Sequence, residues 1–344
     1  MTGDADQPVL SVTDLRTYIH TDQGTIRAVD GVEFDVGRGE TVCLVGESGS
    51  GKSVTCETVT GIVPQPPAEI VGGRVTFDGT DLLKAKDSRL REVRGDRIAH
   101  VFQNPQHALD PVYTVGDQLV EAIDLHREGS DGRPRERAIE LLQRVGIPRA
   151  TDRVDDYPHE FSGGMRQRVA IAIALAAKPD LVIADEPTTA VDVTVQARLI
   201  ELLAALTDGG TSILWVTHDL RVVSTVADRV LVMFGGTIVE RGPVEAIFEQ
   251  PAHPYTQSLF ESFRSSIRQG PRSAREDVPT DGCRFRMECP HAVADCETDA
   301  QPAFHQVRGD DDHRTSCVYY GPSHDAAEIL HDVGGIRARG ESDE

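Results

Sequence analysis

A single glycine-rich segment restricts the folds open to this chain more than any other part of its sequence. It follows the apolar run 41–45 and matches the pattern G-x-x-x-x-G-K-[ST]. Between a strand and a helix, that pattern is the setting of a phosphate-binding loop. Its glycines let backbone N–H groups face a phosphate, and the helix that follows adds the positive end of its dipole. The segment consists of Gly46, Glu47, Ser48, Gly49, Ser50, Gly51, Lys52 and Ser53.

Two side chains of this segment have predicted roles. Lys52 can reach the β- and γ-phosphates of a nucleoside triphosphate, and the Ser53 hydroxyl can ligate Mg²⁺. The simpler interpretation is a Gly/Ser-rich turn, but the complete pattern seldom arises by chance at ordinary glycine content. We therefore predict that the chain binds a nucleoside triphosphate.

Two consecutive carboxylates end a short apolar run later in the chain. The apolar residues 181–184 precede Asp185 and Glu186, and a proline follows. Such a run is typical of a fully buried parallel strand whose end enters a site. Taken alone it would be an ordinary strand end before a turn. After a phosphate-binding loop, it predicts that Asp185 holds Mg²⁺ and that Glu186 polarises the attacking water as general base.

A third motif lies between these two. Ser162, Gly163 and Gly164 precede the apolar helical run 169–177. A Ser-Gly-Gly turn that opens a helix can bind an anion through its backbone N–H groups. We expect no second phosphate near this turn in the same chain. The turn is therefore predicted to face the nucleotide of another subunit.

Together these motifs resemble the nucleotide-binding subunit of an ATP-binding-cassette (ABC) transporter over roughly residues 8–265. The resemblance implies an α/β P-loop ATPase fold with a RecA-like parallel-sheet core, an antiparallel β region and a helical subdomain. It implies that Gln103 contacts Mg²⁺ and senses the γ-phosphate, that Asp192 lies in the loop crossing the dimer interface, and that His218 is the switch histidine. The same resemblance makes Ser162 part of the signature that caps ATP on the opposite subunit.

One position departs from the family's pattern. The family usually stacks adenine on an aromatic residue near the end of the first strand, and by spacing that place is held here by Ile19. Tyr18 is adjacent but should point to the other side of the strand, because successive side chains alternate. His20 is another planar group nearby.

The pattern of turns and apolar residues suggests the order of the domains. We expect early strands within 8–36, helices over 115–125 and 135–145, and alternating helices and strands over 164–260. The predicted domains are the ABC nucleotide-binding domain at 1–262, with its helical subdomain at about 104–163, and a C-terminal extension at 263–344.

The sequence after the cassette changes character. The run 253–256, His-Pro-Tyr-Thr, resembles the oligopeptide/dipeptide importer branch of the family, and a polar segment with four cysteines follows it within 283–317. A segment this polar has too few apolar residues to form a core, so we expect it to need a staple, meaning a disulfide or a metal site that cross-links it. Disulfides are disfavoured without an export signal, which leaves a [4Fe–4S] cluster, zinc or free thiols. The resemblance favours the cluster, with the ligands Cys283, Cys289, Cys296 and Cys317.

Charge and composition exclude some classes of function. The net charge is −21 and the pI is about 4.9, which does not suit a nucleic-acid binder. Dense carboxylates with little lysine are typical of proteins adapted to a high-salt cytosol, although an ordinary acidic protein is the alternative. No window resembles a transmembrane helix or signal peptide, so we expect other chains to supply any membrane spans.

These observations lead to one expected function. The resemblance implies an ATP-hydrolysing subunit that energises peptide import from the cytoplasmic face of the membrane. Its expected partners are a second ABC ATPase in a heterodimer, two membrane permeases and an external solute-binding protein. The alternatives are a soluble ABC ATPase outside transport, which usually carries two cassettes or a coiled-coil insertion, and an importer of nickel or oligosaccharides.

Overall fold

Two compact units make up the described part of the chain, and each is assembled from separate stretches of sequence. The first unit contains the residues up to Leu10, together with Asp35–Thr41 and Thr76–Val216. The second contains Ser11–Phe34, Val42–Val75 and the chain from Thr217 onward. This computed structural model describes residues 7–103, 108–125, 133–187, 193–265, 278–307 and 309–330.

The strands are rich in buried apolar residues. Strand β3 is buried at all of its positions, as expected of a strand covered on both faces. In chain order the strands are β1 (Leu10–Thr21), β2 (Gly24–Val36), β3 (Thr41–Val45), β4 (Ala68–Phe77), β5 (Thr80–Asp81), β6 (Ile98–Val101), β7 (Leu181–Asp185), β8 (Ser212–Thr217), β9 (Arg229–Phe234), β10 (Thr237–Pro243), β11 (His305–Val307) and β12 (Asp310–Thr315).

The helices alternate with these strands over much of the chain, as a parallel sheet requires. None of the described helices is both long enough and apolar enough to cross a membrane. In chain order they are α1 (Lys52–Thr60), α2 (Asp87–Val93), α3 (Val115–Leu125), α4 (Pro134–Arg144), α5 (Ala150–Arg153), α6 (Gly163–Ala174), α7 (Val193–Asp208), α8 (Leu220–Val226), α9 (Val244–Glu249) and α10 (Pro254–Ser265).

The first unit contains three parallel strands. Strand β7 pairs with β6 on one side and with β8 on the other, and Leu181 lies opposite both Ile98 and Ser212. Because the three strands run in one direction, their carboxyl ends share one edge of the sheet. Asp185, the last residue of β7, therefore lies at that edge.

Two amphipathic helices of the first unit pack together. Helix α3 buries Leu119 and Ile123, and α4 buries Leu141 and Leu142. Helix α3 has the predicted bounds, and α4 begins one residue earlier and ends one residue earlier than expected. Gly146 follows α4 in a left-handed conformation (φ 75°), and its N–H donates to the Gln143 carbonyl at 2.9 Å. A glycine in this conformation commonly ends a helix, as Gly146 does here.

The second unit contains a mixed sheet. Strands β3 and β9 are parallel, and Val45 lies opposite Val232. Strand β10 is antiparallel to β9 on one side and to β12 on the other, with Glu240 opposite Thr315. In a separate sheet, β1 lies between β2 and β4. The mixed sheet contains β3, the strand before the glycine-rich loop. Strands from later in the chain, including β10 and β12, extend this sheet.

The described residues from 278 to 330, here named the C-terminal segment, dock on the second unit through buried polar contacts. The His313 Nε2 lies 2.8 Å from the Glu240 Oε1, and both side chains are almost fully buried. The Gln257 Nε2 donates to the Ile329 carbonyl at 3.1 Å. Arg284 forms a buried ion pair with Asp30 of β2. The segment is thus tied to β2, β10 and α10 of the second unit.

Candidate functional site

The glycine-rich loop joins β3 directly to α1, as its pattern predicted. Gly46 has a φ of 152° and Gly51 a φ of 106°, and neither has room for a side chain. A Cβ on Gly46 would lie 2.2 Å from the Met233 carbonyl oxygen, and one on Gly51 would lie 2.1 Å from the Ala28 carbonyl oxygen. Only glycine fits at these two positions, because both the space and the backbone conformation exclude a Cβ.

A cation and a hydroxyl lie within this loop. Lys52 is 5% exposed, and its Nζ donates to the carbonyls of Gly46 at 2.8 Å and Glu47 at 2.9 Å. The Oγ of Ser50 is buried and has no hydrogen-bond partner among the described residues. A buried ammonium and an unsatisfied hydroxyl in a loop that opens a helix suit a phosphate group. The loop therefore fits the triphosphate that the sequence predicted.

Two contacts from distant parts of the chain hold the loop in place. The Gly236 N–H, in the turn between β9 and β10, donates to the Ser50 carbonyl at 3.0 Å. The Glu47 N–H donates to the hydroxyl of Tyr255, in α10, at 2.9 Å. Sequence reasoning missed Tyr255 as part of the site, because the run 253–256 indicated only a branch of the family.

The carboxyl end of β7 brings two predicted residues of the first unit together. The Gln103 Nε2 donates to the Glu186 Oε2 at 2.9 Å, although the two residues are far apart in sequence. Glu186 has a φ of 45°, and its N–H donates to the Val216 carbonyl at 2.9 Å. A non-glycine residue in this sparsely populated conformation is often found at functional sites. Asp185, one residue earlier, is 5% exposed.

The Ser-Gly-Gly turn caps a helix of the first unit. The Ser162 Oγ accepts a hydrogen bond from the Met165 N–H at 3.3 Å, and Ser162 itself is exposed. A Cβ at Gly163 would have no atom within 4 Å. The Gln167 Nε2 donates to the Phe102 carbonyl at 3.2 Å, which anchors α6 beside the residue before Gln103. The turn is therefore an accessible helix start, as binding another subunit's nucleotide requires.

The remaining predicted positions have less defined surroundings. His218 directly follows β8 and is exposed. Asp192 lies outside the described residues. Ile19 is half-buried, and the Tyr18 hydroxyl donates to the Asp30 Oδ1 at 3.0 Å. His20 is exposed and its Nε2 lies 2.8 Å from the Glu69 Oε2. The roles predicted for His218 and Asp192, and the surface that holds adenine, stay predictions.

Comparison with known proteins identifies the family. Residues 29–189 match the ABC transporter family model, and residues 239–296 match the model for the oligopeptide/dipeptide transporter C-terminal region. The oligopeptide transport ATP-binding protein AppD of Bacillus subtilis is 44% identical over 304 residues, which cover 86% of this chain and 92% of AppD. The chain belongs to the ABC transporter ATP-binding proteins. It is accordingly an ABC-type ATP hydrolase.

Further relatives and solved structures agree with this assignment. The dipeptide transport ATP-binding protein DppD of Bacillus subtilis is 44% identical, over 85% of this chain and 89% of DppD. A putative peptide import ATP-binding protein of Brucella abortus is 48% identical, over 84% of this chain and 89% of its own length. The dimeric ATP-binding cassette MJ0796, solved in a post-hydrolysis state with ADP and Pi, superposes with a TM-score of 0.62. It is 27% identical, and the match covers 68% of this chain and 98% of that one. The predicted α/β ABC ATPase fold is confirmed.

The prediction of a [4Fe–4S] cluster in this ABC protein is wrong. The four cysteines do line one cavity, which they share with His253 and Tyr319. Even so, no group of three or more His, Cys, Asp or Glu side chains in the described ranges is arranged to hold a metal ion. The same finding leaves the zinc alternative without support. The four cysteines are Cys283, Cys289, Cys296 and Cys317, and all are free.

The reason for this correction lies in how the C-terminal segment is held. Burial raises the pKa of Cys283 to about 11 and that of Cys317 to about 12, so in this structure both are neutral thiols that pack as small apolar side chains. The C-terminal segment also needs no staple, because pairing of β12 with β10 and the buried Arg284–Asp30 ion pair attach it to the second unit. The segment would need such a staple only if it folded without the second unit.

Proposed function

We propose that this chain is the ATP-hydrolysing subunit of a peptide importer, which energises the movement of di- or oligopeptides through membrane permeases. The observation that carries the proposal is the match of residues 239–296 to the oligopeptide/dipeptide transporter C-terminal region, in a chain with a complete phosphate-binding loop. The relatives named for peptide, dipeptide and oligopeptide transport support the same substrate class.

In this proposal the glycine-rich loop binds the phosphates of ATP. Lys52 leaves its loop carbonyls to pair with the β- and γ-phosphates, and the Ser53 hydroxyl ligates Mg²⁺. The Ser50 Oγ, which is buried without a partner among the described residues, supports a polar ligand at this place. Asp185 holds Mg²⁺ from the end of β7.

The hydrolytic step is proposed to depend on Glu186. Its carboxylate accepts a proton from the attacking water, and the Gln103 amide, 2.9 Å from the Glu186 Oε2, orients that carboxylate. His218 contacts the γ-phosphate in the same proposal. Asp192 has a proposed role in the loop that crosses to the second ATPase.

The proposed assembly contains more than one chain. Because the exposed Ser162 and the two half-buried glycines after it form a helix start, we assign to them the cap over ATP bound by a second ABC ATPase. A heterodimer of two different ATPases is the proposed form. Two permease subunits supply the membrane spans, an external solute-binding protein delivers the peptide, and this chain is peripheral on the cytoplasmic face.

A Glu186→Gln variant tests the proposal in the complete transporter reconstituted in vesicles. We expect unchanged ATP binding but a loss of steady-state hydrolysis of about 10²- to 10⁴-fold, because an amide cannot act as general base. ATP-driven uptake of a labelled dipeptide should stop with it. Glu136→Gln is the matched control, since Glu136 is exposed and pairs with the exposed Arg133.

Three results would contradict this proposal in different ways. Hydrolysis at a near wild-type rate in Glu186→Gln would refute the assigned base. Wild-type vesicles that hydrolyse ATP but accumulate nickel or oligosaccharide instead of dipeptide would refute the substrate class. A purified complex with this ATPase in two copies and no second type would refute the heterodimer.

A further inference from the structure

The Gly46–Glu47 peptide of the phosphate-binding loop is held on both sides. Its carbonyl, which belongs to Gly46, accepts a hydrogen bond from the Lys52 Nζ at 2.8 Å, and its N–H, which belongs to Glu47, donates to the Tyr255 hydroxyl at 2.9 Å. Lys52 is expected to move from the carbonyl when phosphate binds, whereas Tyr255 lies outside the loop. Tyr255 therefore holds the orientation of this peptide independently of the nucleotide.

The position of Tyr255 is fixed by its own surroundings. The residue is 2% exposed, and its N–H donates to the His253 Nδ1 at 3.0 Å. The His253 N–H in turn donates to the Glu240 Oε2 at 2.8 Å. A buried aromatic ring with a fixed backbone presents its hydroxyl at a defined point. Tyr255 is thus a rigid contact for the loop.

The ring of Tyr255 also contacts the C-terminal segment. Its centroid lies 5.4 Å from that of Phe285, in an edge-to-face arrangement, and 4.6 Å from that of Phe234. Phe234 and Phe285 contact each other at 5.2 Å with an interplanar angle of 84°. These three rings connect the segment that contains the cysteines to the phosphate-binding loop.

A second route links the same two regions. A Cβ placed on Gly235 would meet the Val278 Cγ1 at 2.8 Å and the Arg284 Cβ at 3.2 Å. The next residue, Gly236, donates its N–H to the Ser50 carbonyl of the loop at 3.0 Å. The β9–β10 turn is therefore packed between the C-terminal segment and the loop.

We propose that Tyr255 is a positioning residue for nucleotide binding, through which the packing of the C-terminal segment sets the affinity of the phosphate-binding loop for ATP. This inference rests on the proposed binding of ATP phosphates by the glycine-rich loop. In this proposal Tyr255 acts by fixing the Gly46–Glu47 peptide rather than by binding the nucleotide, and Phe285 acts by fixing the Tyr255 ring.

The test measures the affinity of the full-length chain for MgATP by calorimetry in wild type and Tyr255→Phe. Removing only the hydroxyl should weaken binding about fivefold, the typical effect of one lost hydrogen bond. In the assembled transporter the KM for ATP should rise by the same factor while kcat stays unchanged, since the contact is the same in ground and transition states. Tyr319→Phe is the matched control, because the Tyr319 hydroxyl donates to the His291 carbonyl at 3.0 Å, within the C-terminal segment.

A second variant tests the part played by the C-terminal segment. Phe285→Leu keeps an apolar side chain but removes the edge-to-face contact, so ATP binding should weaken about two- to threefold. Unchanged affinity and KM in Tyr255→Phe would overturn the proposal, and unchanged affinity in Phe285→Leu would remove the segment from it. Wild-type protein that binds no MgATP would refute the proposed function itself, which separates the two failures.

Discussion

The buried ion pair between Asp30 and Arg284 leads to an asymmetric prediction about stability. Both side chains are almost fully buried, at 4% and 7% exposure, and they join β2 to the C-terminal segment. Asp30 has additional partners: its Oδ1 lies 2.7 Å from Arg16, and its Oδ2 lies 3.4 Å from Arg27. Burial lowers the pKa of Arg284, as it does for any cation that is costly to desolvate. Removing the carboxylate of Asp30 should therefore destabilise the protein more than removing the guanidinium of Arg284.

The expected magnitudes follow from what each variant leaves behind. Asp30→Asn leaves the Arg284 charge buried without a carboxylate, which should lower the free energy of unfolding by about 3–5 kcal/mol. Arg284→Met keeps the apolar stem and leaves Asp30 with Arg16 and Arg27, so the loss should be about 1–2 kcal/mol. Once Arg284 is gone, the further change Asp30→Asn should add little, because the buried cation is no longer present.

Guanidinium unfolding followed by circular dichroism measures these differences in the full chain. Asp14→Asn is the matched control, since Asp14 pairs with Arg16 at 2.7 Å but is 59% exposed, and it should change stability by less than about 1 kcal/mol. A loss in Arg284→Met equal to that in Asp30→Asn, or fully additive losses in the double variant, would refute the reasoning.

Two further predictions concern pH and the phosphate-binding loop. Burial lowers the pKa of His253 from 6.5 to about 4, so the unfolded chain takes up a proton that the native chain excludes as pH falls. The free energy of unfolding should therefore drop by about 3 kcal/mol between pH 6.5 and pH 4. Denaturation curves recorded at a series of pH values should show that this dependence of the unfolding free energy on pH is weaker in His253→Gln. Gly51→Ala should cost about 3 kcal/mol in the same assay and abolish ATP binding, because its Cβ would lie 2.1 Å from a carbonyl oxygen. Gly79→Ala, at φ 76° with nothing within 4 Å, should show only the smaller backbone strain, and equal losses in the two alanine variants would contradict the argument.

Local patterns predicted much of the fold and the site. The phosphate-binding loop joins β3 to α1, and the two carboxylates lie at the carboxyl end of the buried strand β7. Both were predictable because apolar runs and glycine spacing are local features of the sequence. Helix α3 matches its predicted bounds for the same reason.

These local patterns could not predict contacts between residues that are far apart in the sequence. Nothing near Tyr255 in the sequence indicates that its hydroxyl binds the Glu47 N–H, more than two hundred residues away. The prediction of a metal staple failed in the same way, because the composition of the C-terminal segment does not reveal that Arg284 reaches Asp30. Strand β12 lies in the polar sequence Asp-Asp-Asp-His-Arg-Thr, which has low strand propensity, and its pairing with β10 determines its conformation.

The pairing of β10 with β12 affects how the protein is made. A ribosome completes β10 about 70 residues before it completes β12, and at about 5–20 residues per second this interval lasts on the order of several seconds. During it, one side of β10 presents unpaired N–H and C=O groups, which can recruit a strand from another nascent chain. Messages that stall or end before residue 310 therefore yield polypeptides with an open sheet edge, and these should be substrates for chaperones and proteases.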